Sequence, residues 1–148
     1  MTMRFLVCGL IAILLSITAC SSKPSPASNL VKMTDYFSNR MRWQDYNHAA
    51  IYVVTEEREA FEEGWKEFKD DLHVVGTKID MIEMLDPETA EVTMTIDYYL
   101  LPSASVKQVV SVQQWRYREG EGFEVGSWEL VSGVPVLPEY AEKQKKNE

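Results

Sequence analysis

The side chains of this chain that could carry chemistry fall into three groups. Two thiols, Cys8 and Cys20, could act as nucleophiles, accept an acyl group or ligate a metal. Two imidazoles, His48 and His73, could ligate a metal or move a proton. An acid next to two phenols, Asp97-Tyr98-Tyr99, could act as base and hydrogen-bond donor if burial raised the carboxylate pKa. The first and third groups keep a specific possibility open, whereas the second does not. A metal centre needs several ligands converging, and two histidines far apart in sequence do not supply them, so no metal is expected. No glycine-flanked serine nucleophile and no glycine-rich phosphate loop occurs, and no cofactor is expected.

Cys20 has the more informative surroundings. Arg4 is the only charge before it, Phe5 to Ile17 is apolar, and Ile17-Thr18-Ala19 precedes it directly. The apolar run has the length of a signal h-region and falls short of the roughly 20 residues that span a bilayer. The sequence resembles the lipobox of bacterial lipoproteins. That resemblance implies cleavage between Ala19 and Cys20 and a diacylglycerol on the Cys20 sulfur. Residues 1–19 would then be a cleaved signal peptide, and Cys8 would leave with it, so the mature chain would have no cysteine pair to oxidise. An uncleaved helix and an ordinary secretory signal are the alternatives. Ser21 to Pro24 leave the former too short, and a cysteine at the cleavage site argues against the latter. Residue 21 is serine rather than aspartate, which by resemblance to the sorting rule of enteric bacteria implies delivery to the outer membrane, facing the periplasm.

Loss of residues 1–19 leaves 129 residues, enough for one domain, and removal of Arg4 takes the formal charge from −8 to −9. So acidic a domain is expected to bind neither nucleic acid nor anionic lipid, since both need a cationic surface. Residues 20–28, rich in serine and proline, read as a tether of at most about 30 Å. Residues 138–148 are charged with no apolar period and read as a disordered tail. The domain is expected over 29–137.

The elements that must position any site follow from periodicity. Leu30, Met33, Phe37 and Met41 fall at helical spacing, widened by Val31 and Tyr36, with Ser28 or Asn29 as cap. Trp43 and Asp45 mark a turn, and Ala49 to Val53 a short second helix. Thr55 is expected to cap a third helix carrying Phe61, Trp65, Phe68 and Leu72 on one face. The period then changes to two. In Thr89–Leu100 one row holds Ala90, Val92, Met94, Ile96, Tyr98 and Leu100, and the other holds Thr93, Thr95 and Asp97. Asp97 is thus expected on the wetter face. The partner strand, Val74 to Leu85, changes apolar parity between Ile79-Met81 and Ile82-Met84, which predicts a bulge. Val106 to Tyr117 and Phe123 to Val131 complete a four-strand meander. Val110 and Val112 lie on the parity opposite Val109, Trp115 and Tyr117. Either bulges switch the buried side or one face carries an exposed apolar patch.

This order predicts an α+β fold, N-terminal helices on a curved four-stranded antiparallel sheet. With the Trp43, Asp45, Tyr46, Ala49, Ala50 cluster it resembles the nuclear transport factor two-like (cystatin-like) family and small Gram-negative lipoproteins of that layout. The early strand usual in that family is reduced here to Ile51–Val54. The resemblance implies a pocket between sheet and helices, which in some members holds an acid–base pair. Two functional expectations follow. One is a membrane-anchored, non-enzymatic domain that binds a protein partner or a small apolar ligand, or serves an envelope assembly as accessory. The other is a ketosteroid-isomerase-like enzyme using Asp97 with Tyr98 or Tyr99.

Overall fold

The computed structural model describes residues 26–120 and 126–147. Ala19, Cys20 and the expected signal lie outside them. Helix α1 spans Pro26–Arg42, α2 Tyr46–Ala49, a 3-10 turn Ala50–Tyr52, and α3 Thr55–Lys66. Strands β1 Leu72–Met84, β2 Thr89–Leu100, β3 Lys107–Arg118 and β4 Ser127–Ser132 follow, then helix α4 Pro138–Asn147. The strands form one antiparallel sheet in the order β1-β2-β3-β4, and α1 packs against β1, as expected of the α+β class.

Helix α1 begins at Pro26, where a missing N–H costs nothing, so residues 26–28 are helix and not tether. Ser28 and Asn29 lie within its first turn instead of capping it, and Asn29 Nδ2 donates to the Gly126 carbonyl at 3.2 Å. The buried stripe is Leu30, Thr34, Phe37, Ser38 and Met41, whereas Val31 and Tyr36 face outward. The helix ends where Gln44 adopts a left-handed conformation (φ 55°). Gln44 N–H then reaches the Met41 carbonyl at 3.1 Å, and Asp45 N–H reaches that of Arg40 at 2.9 Å. Gln44 Nε2 also donates to the Leu72 carbonyl at 3.0 Å, pinning this turn to the start of the sheet.

Thr55 proves to be the first residue of α3; Val54 precedes it and no side chain caps the helix. The helix stops at Lys66, so Phe68 lies in the following turn and Leu72 opens β1. Val53 pairs with the sheet through an isolated bridge. It bridges Leu130 in parallel, and Val54 N–H donates to the Leu130 carbonyl at 2.9 Å, covering the β4 edge. In β1 the register slips between Val74 and Gly76 and again between Ile79 and Met81. The second slip sends Asp80 and Met81 outward together and returns Ile82 and Met84 to the helix side, as the parity change predicts.

On that side β2 presents Ala90, Val92, Met94, Ile96 and Tyr98, all buried, against the helices. Phe37 is the hub. Its ring lies 5.8 Å from Trp115, 6.1 Å from Phe61 and 6.4 Å from Tyr52. Trp65 stacks on Tyr46 at 5.4 Å. Gln113, a buried amide in this aromatic interior, accepts the Trp115 indole N–H at 2.9 Å.

The expected disordered tail is instead α4, from Pro138 through Asn147. None of its residues is fully buried, so it is held by a few long-range clasps that sequence period cannot reveal. Tyr140 lies over Gly64, so close that a Cβ there would sit 3.2 Å from the ring. Lys143 pairs with Glu67. Glu139 accepts the Tyr98 hydroxyl at 2.9 Å and Lys107 Nζ at 2.6 Å. Burial opposes ionisation of Glu139, but Lys107, its own backbone N–H and Tyr98 outweigh this and hold its carboxyl below the ordinary 4.5. The folded value is thus lower than the unfolded one. The clasp therefore stabilises at pH above about 4.5, and its contribution is lost as pH falls through the folded value. Glu139→Gln should cost about 1 kcal/mol at neutral pH. Urea midpoints of variant and wild type should converge at acid pH, and a constant gap would contradict the clasp.

Candidate functional site: the outer face of the sheet

The face of the sheet turned away from the helices is built in rows that the strand register fixes. One row is Gly76, Asp97 and Gln108; the next is Lys78, Thr95 and Val110. Met81, Thr93 and Val112 form the third, and Glu83, Glu91, Gln114 and Ser132 the fourth. From Gln108 to Arg116 burial alternates in β3 without a break, so no bulge turns its valines inward. Val110 is 59% exposed, Val112 52% and Met81 45%. Of the two arrangements open from sequence, the exposed apolar patch is the one present.

Polar pairs lie among and beside these side chains. Asp80 accepts Lys78 Nζ and the Thr95 hydroxyl, each at 2.5 Å. Those two bonds, Lys78 foremost, hold the Asp80 carboxyl below its ordinary range. Gln108 Nε2 donates to Asp97 Oδ1 at 2.8 Å, and the Ser132 hydroxyl donates to Gln114 Oε1 at 3.1 Å. Glu83 and Glu91 stand directly opposite each other, a like-charge pair that costs stability where no cation faces it. Met81 on β1 and Val110 and Val112 on β3 flank Thr93 and Thr95 of β2, so exposed apolar side chains and oriented polar groups share one face, a mixture found at protein interfaces.

Asp97, Tyr98 and Tyr99 do not assemble into an acid–base site. Neighbours in a strand point to opposite faces. Asp97 is half-buried on the outer face with Gln108, whereas the Tyr98 hydroxyl is on the helix side with Glu139. Burial, then the Glu139 bond and charge, push the Tyr98 phenol well above its ordinary pKa, which suits a fixed donor rather than a titrating acid. Tyr99 shares the Asp97 face, with its ring stacked on His73 at 4.8 Å and 16°. His48 is exposed, its Nδ1 2.7 Å from Asp45 Oδ1; that bond foremost lowers the Asp45 pKa. The two histidines thus have separate partners, and among the described residues no cluster of three or more His, Cys, Asp or Glu could hold a metal. Between α3 and α4 lies an open groove of about 440 Å³ lined by Glu63, Lys66, Glu67, Tyr140 and Gln144, and none of the three candidates reaches it.

Sequence reasoning missed Glu139 as the partner of both Tyr98 and Lys107, because it lies 41 residues from the first and 32 from the second. It also missed Gln113, which alternation alone could have placed on the buried row of β3. No protein-family model matches this chain, and no curated protein matches it in sequence. Among the described residues no helix is long and apolar enough to cross a membrane.

Proposed function

We propose that the protein is a lipoprotein held to the outer membrane through Cys20, and that its domain is a non-enzymatic docking module for an envelope protein in the periplasm. The observation that carries the docking role is the exposure of Met81, Val110 and Val112 on one face of the sheet, interleaved with oriented polar groups. A small apolar ligand is the less favoured cargo. The largest fully buried side chains include Trp65, Trp115, Trp128, Tyr98, Phe37 and Phe61, which a ligand inside the fold would have to displace. The opposed Glu83 and Glu91 give the partner a further character: apolar side chains flanked by a basic group, which would relieve the repulsion.

Site-specific photo-crosslinking in cells tests this. A photoreactive residue in place of Val112 should capture one envelope protein, and Val110→Asp in the same chain should reduce that capture at least about tenfold, since a charge in an apolar contact costs over 1.4 kcal/mol. Val110→Asp should leave the urea midpoint nearly unchanged, because the position is exposed. Equal capture from Glu59, exposed on α3, or none from Val112, would overturn the assignment.

A further inference from the structure

Helix α1 carries a second surface that the docking role does not use. Residues 32, 36, 39 and 43, spaced four, three and four apart, set Lys32, Tyr36, Asn39 and Trp43 in one outward row; Trp43 is the first residue past the helix, its N–H still bonded to the Asn39 carbonyl at 3.1 Å. Arg40 and Arg42 flank it, and Val31 lies at its margin. Trp43 is 76% exposed and Tyr36 55%, which for a tryptophan forgoes a large burial gain. The Arg42 guanidinium lies 5.9 Å from the Trp43 ring centre, a cation–π distance. Charge sets this helix apart from α3. In α1, Lys32, Arg40 and Arg42 stand against Asp35 alone, although the chain as a whole is −8. Arg40 is shared with Asp45, and α3 carries five glutamates against Arg58 and Lys66.

We infer that this face of α1 rests on the membrane surface, as a second contact beside the Cys20 anchor, with anionic phospholipid as its occupant. The inference rests on the proposed anchoring. Three observations select a lipid surface. The six residues from Cys20 to Ser25 span at most about 21 Å, so Pro26, the first residue of α1, cannot stand far from the bilayer. Tryptophan, tyrosine and basic side chains on one helical face are the composition that settles at the headgroup level. The positive sign of the helix inside an acidic chain directs this side, and not α3, to anionic headgroups. Because α1 packs on the helix side of the sheet, this orientation turns Met81, Val110 and Val112 away from the bilayer, where a periplasmic partner can reach them. One acyl-anchored residue fixes position only; the helix contact fixes orientation.

The protein carries its own probe. Trp65, Trp115 and Trp128 are buried, so quenchers read Trp43 almost alone. The mature lipoprotein is reconstituted into phosphatidylethanolamine vesicles with a minority of phosphatidylglycerol, and vesicle association is read by flotation. Acrylamide quenching of Trp43 should fall about threefold or more relative to detergent micelles, while lipids brominated near the headgroup should quench it. Trp43→Phe should abolish the lipid-quenched component. Lys32→Glu with Arg42→Glu should restore acrylamide access while the protein still floats, and high salt should do so in part. A protein that floats with Trp43 still open to acrylamide would overturn the helix contact and leave the anchor standing. Failure to float would overturn the anchor and the contact with it. Shielding in native envelopes but not in vesicles would assign the face to a protein and overturn the lipid assignment.

Discussion

Trp65→Ala should cost about 3–5 kcal/mol, the range for deleting a large aromatic from a packed core. The indole is fully buried, stacked on Tyr46 at 5.4 Å, and its Nε1 donates to the Pro135 carbonyl at 2.8 Å. It thus ties α3 both to α2 and to the segment that leads into α4. Domains of this size hold only about 5–15 kcal/mol in total, and this one has no cysteine among its described residues to add a disulfide. A fall of that size in the urea midpoint is therefore expected, with a substantial unfolded fraction at 37 °C. Trp65→Phe separates the causes. It keeps most of the apolar volume but leaves the Pro135 carbonyl unpaired, so about 1–2 kcal/mol should be lost. A Trp65→Ala cost below about 1 kcal/mol would contradict the packing of Trp65 described above.

The second large effect is expected from a single methyl group at Gly133. Its φ is +70°, and a Cβ there would fall onto the Val112 carbonyl oxygen, with Gln113 Cα only 3.0 Å away. Left-handed backbone alone costs an L-residue about 1–2 kcal/mol, and the clash adds to it because the obstructing atoms are β3 backbone that cannot rotate aside. Gly133→Ala should lose about 3 kcal/mol or more. The damage should be directional. Ser111 donates to the Gly133 carbonyl at 2.6 Å, and the residues after it supply the Trp65 acceptor and the Leu137 plug. Limited proteolysis should therefore cut after Gly133 before it cuts the sheet. A neutral Gly133→Ala, with the C-terminal segment as resistant as wild type, would contradict the close approach to β3.

Both effects concern the region that the sequence reads least well. The β2 alternation, the parity change in β1 and the Trp43-Asp45 turn are local patterns, set by side chains a few residues apart, and the fold places them as periodicity implies. Helix α4 is different. Only Tyr140 among its residues is aromatic, and its seat on Gly64, Tyr98, Lys107 and Glu67 comes from parts of the chain far away. A charged run with distant clasps looks the same in sequence as a charged run with none. The end of α3 was hidden for a related reason: Phe61, Trp65, Phe68 and Leu72 keep helical spacing after the helix has stopped, because the turn and the first residue of β1 bury their apolar groups in the same core.

The candidate site was legible in part. The valines on both parities of β3 left two arrangements open, and the unbroken β2–β3 register with alternating burial from Gln108 to Arg116 decides for exposed valines. The parity of Asp97 could be read, and it lies on the outer face with Gln108 as the alternation implies. The outward turn of Tyr36 and Val31 could not, since a broad apolar stripe and an amphipathic face with aromatic residues on its polar side share one spacing. What makes this outward face informative is its position directly after the cysteine to which the lipid is assigned.

The anchor and the orientation proposed for this protein depend on Cys20 being acylated, and mass spectrometry of the mature N-terminus from native envelopes measures that directly. Residues 1–19 should be absent, and the N-terminal peptide should begin at Cys20 carrying a diacylglycerol and a third acyl chain. Cys20→Ser should yield only unlipidated precursor. A mature chain with an unmodified Cys20, or one that retains residues 1–19, would contradict the anchor and the orientation drawn from it.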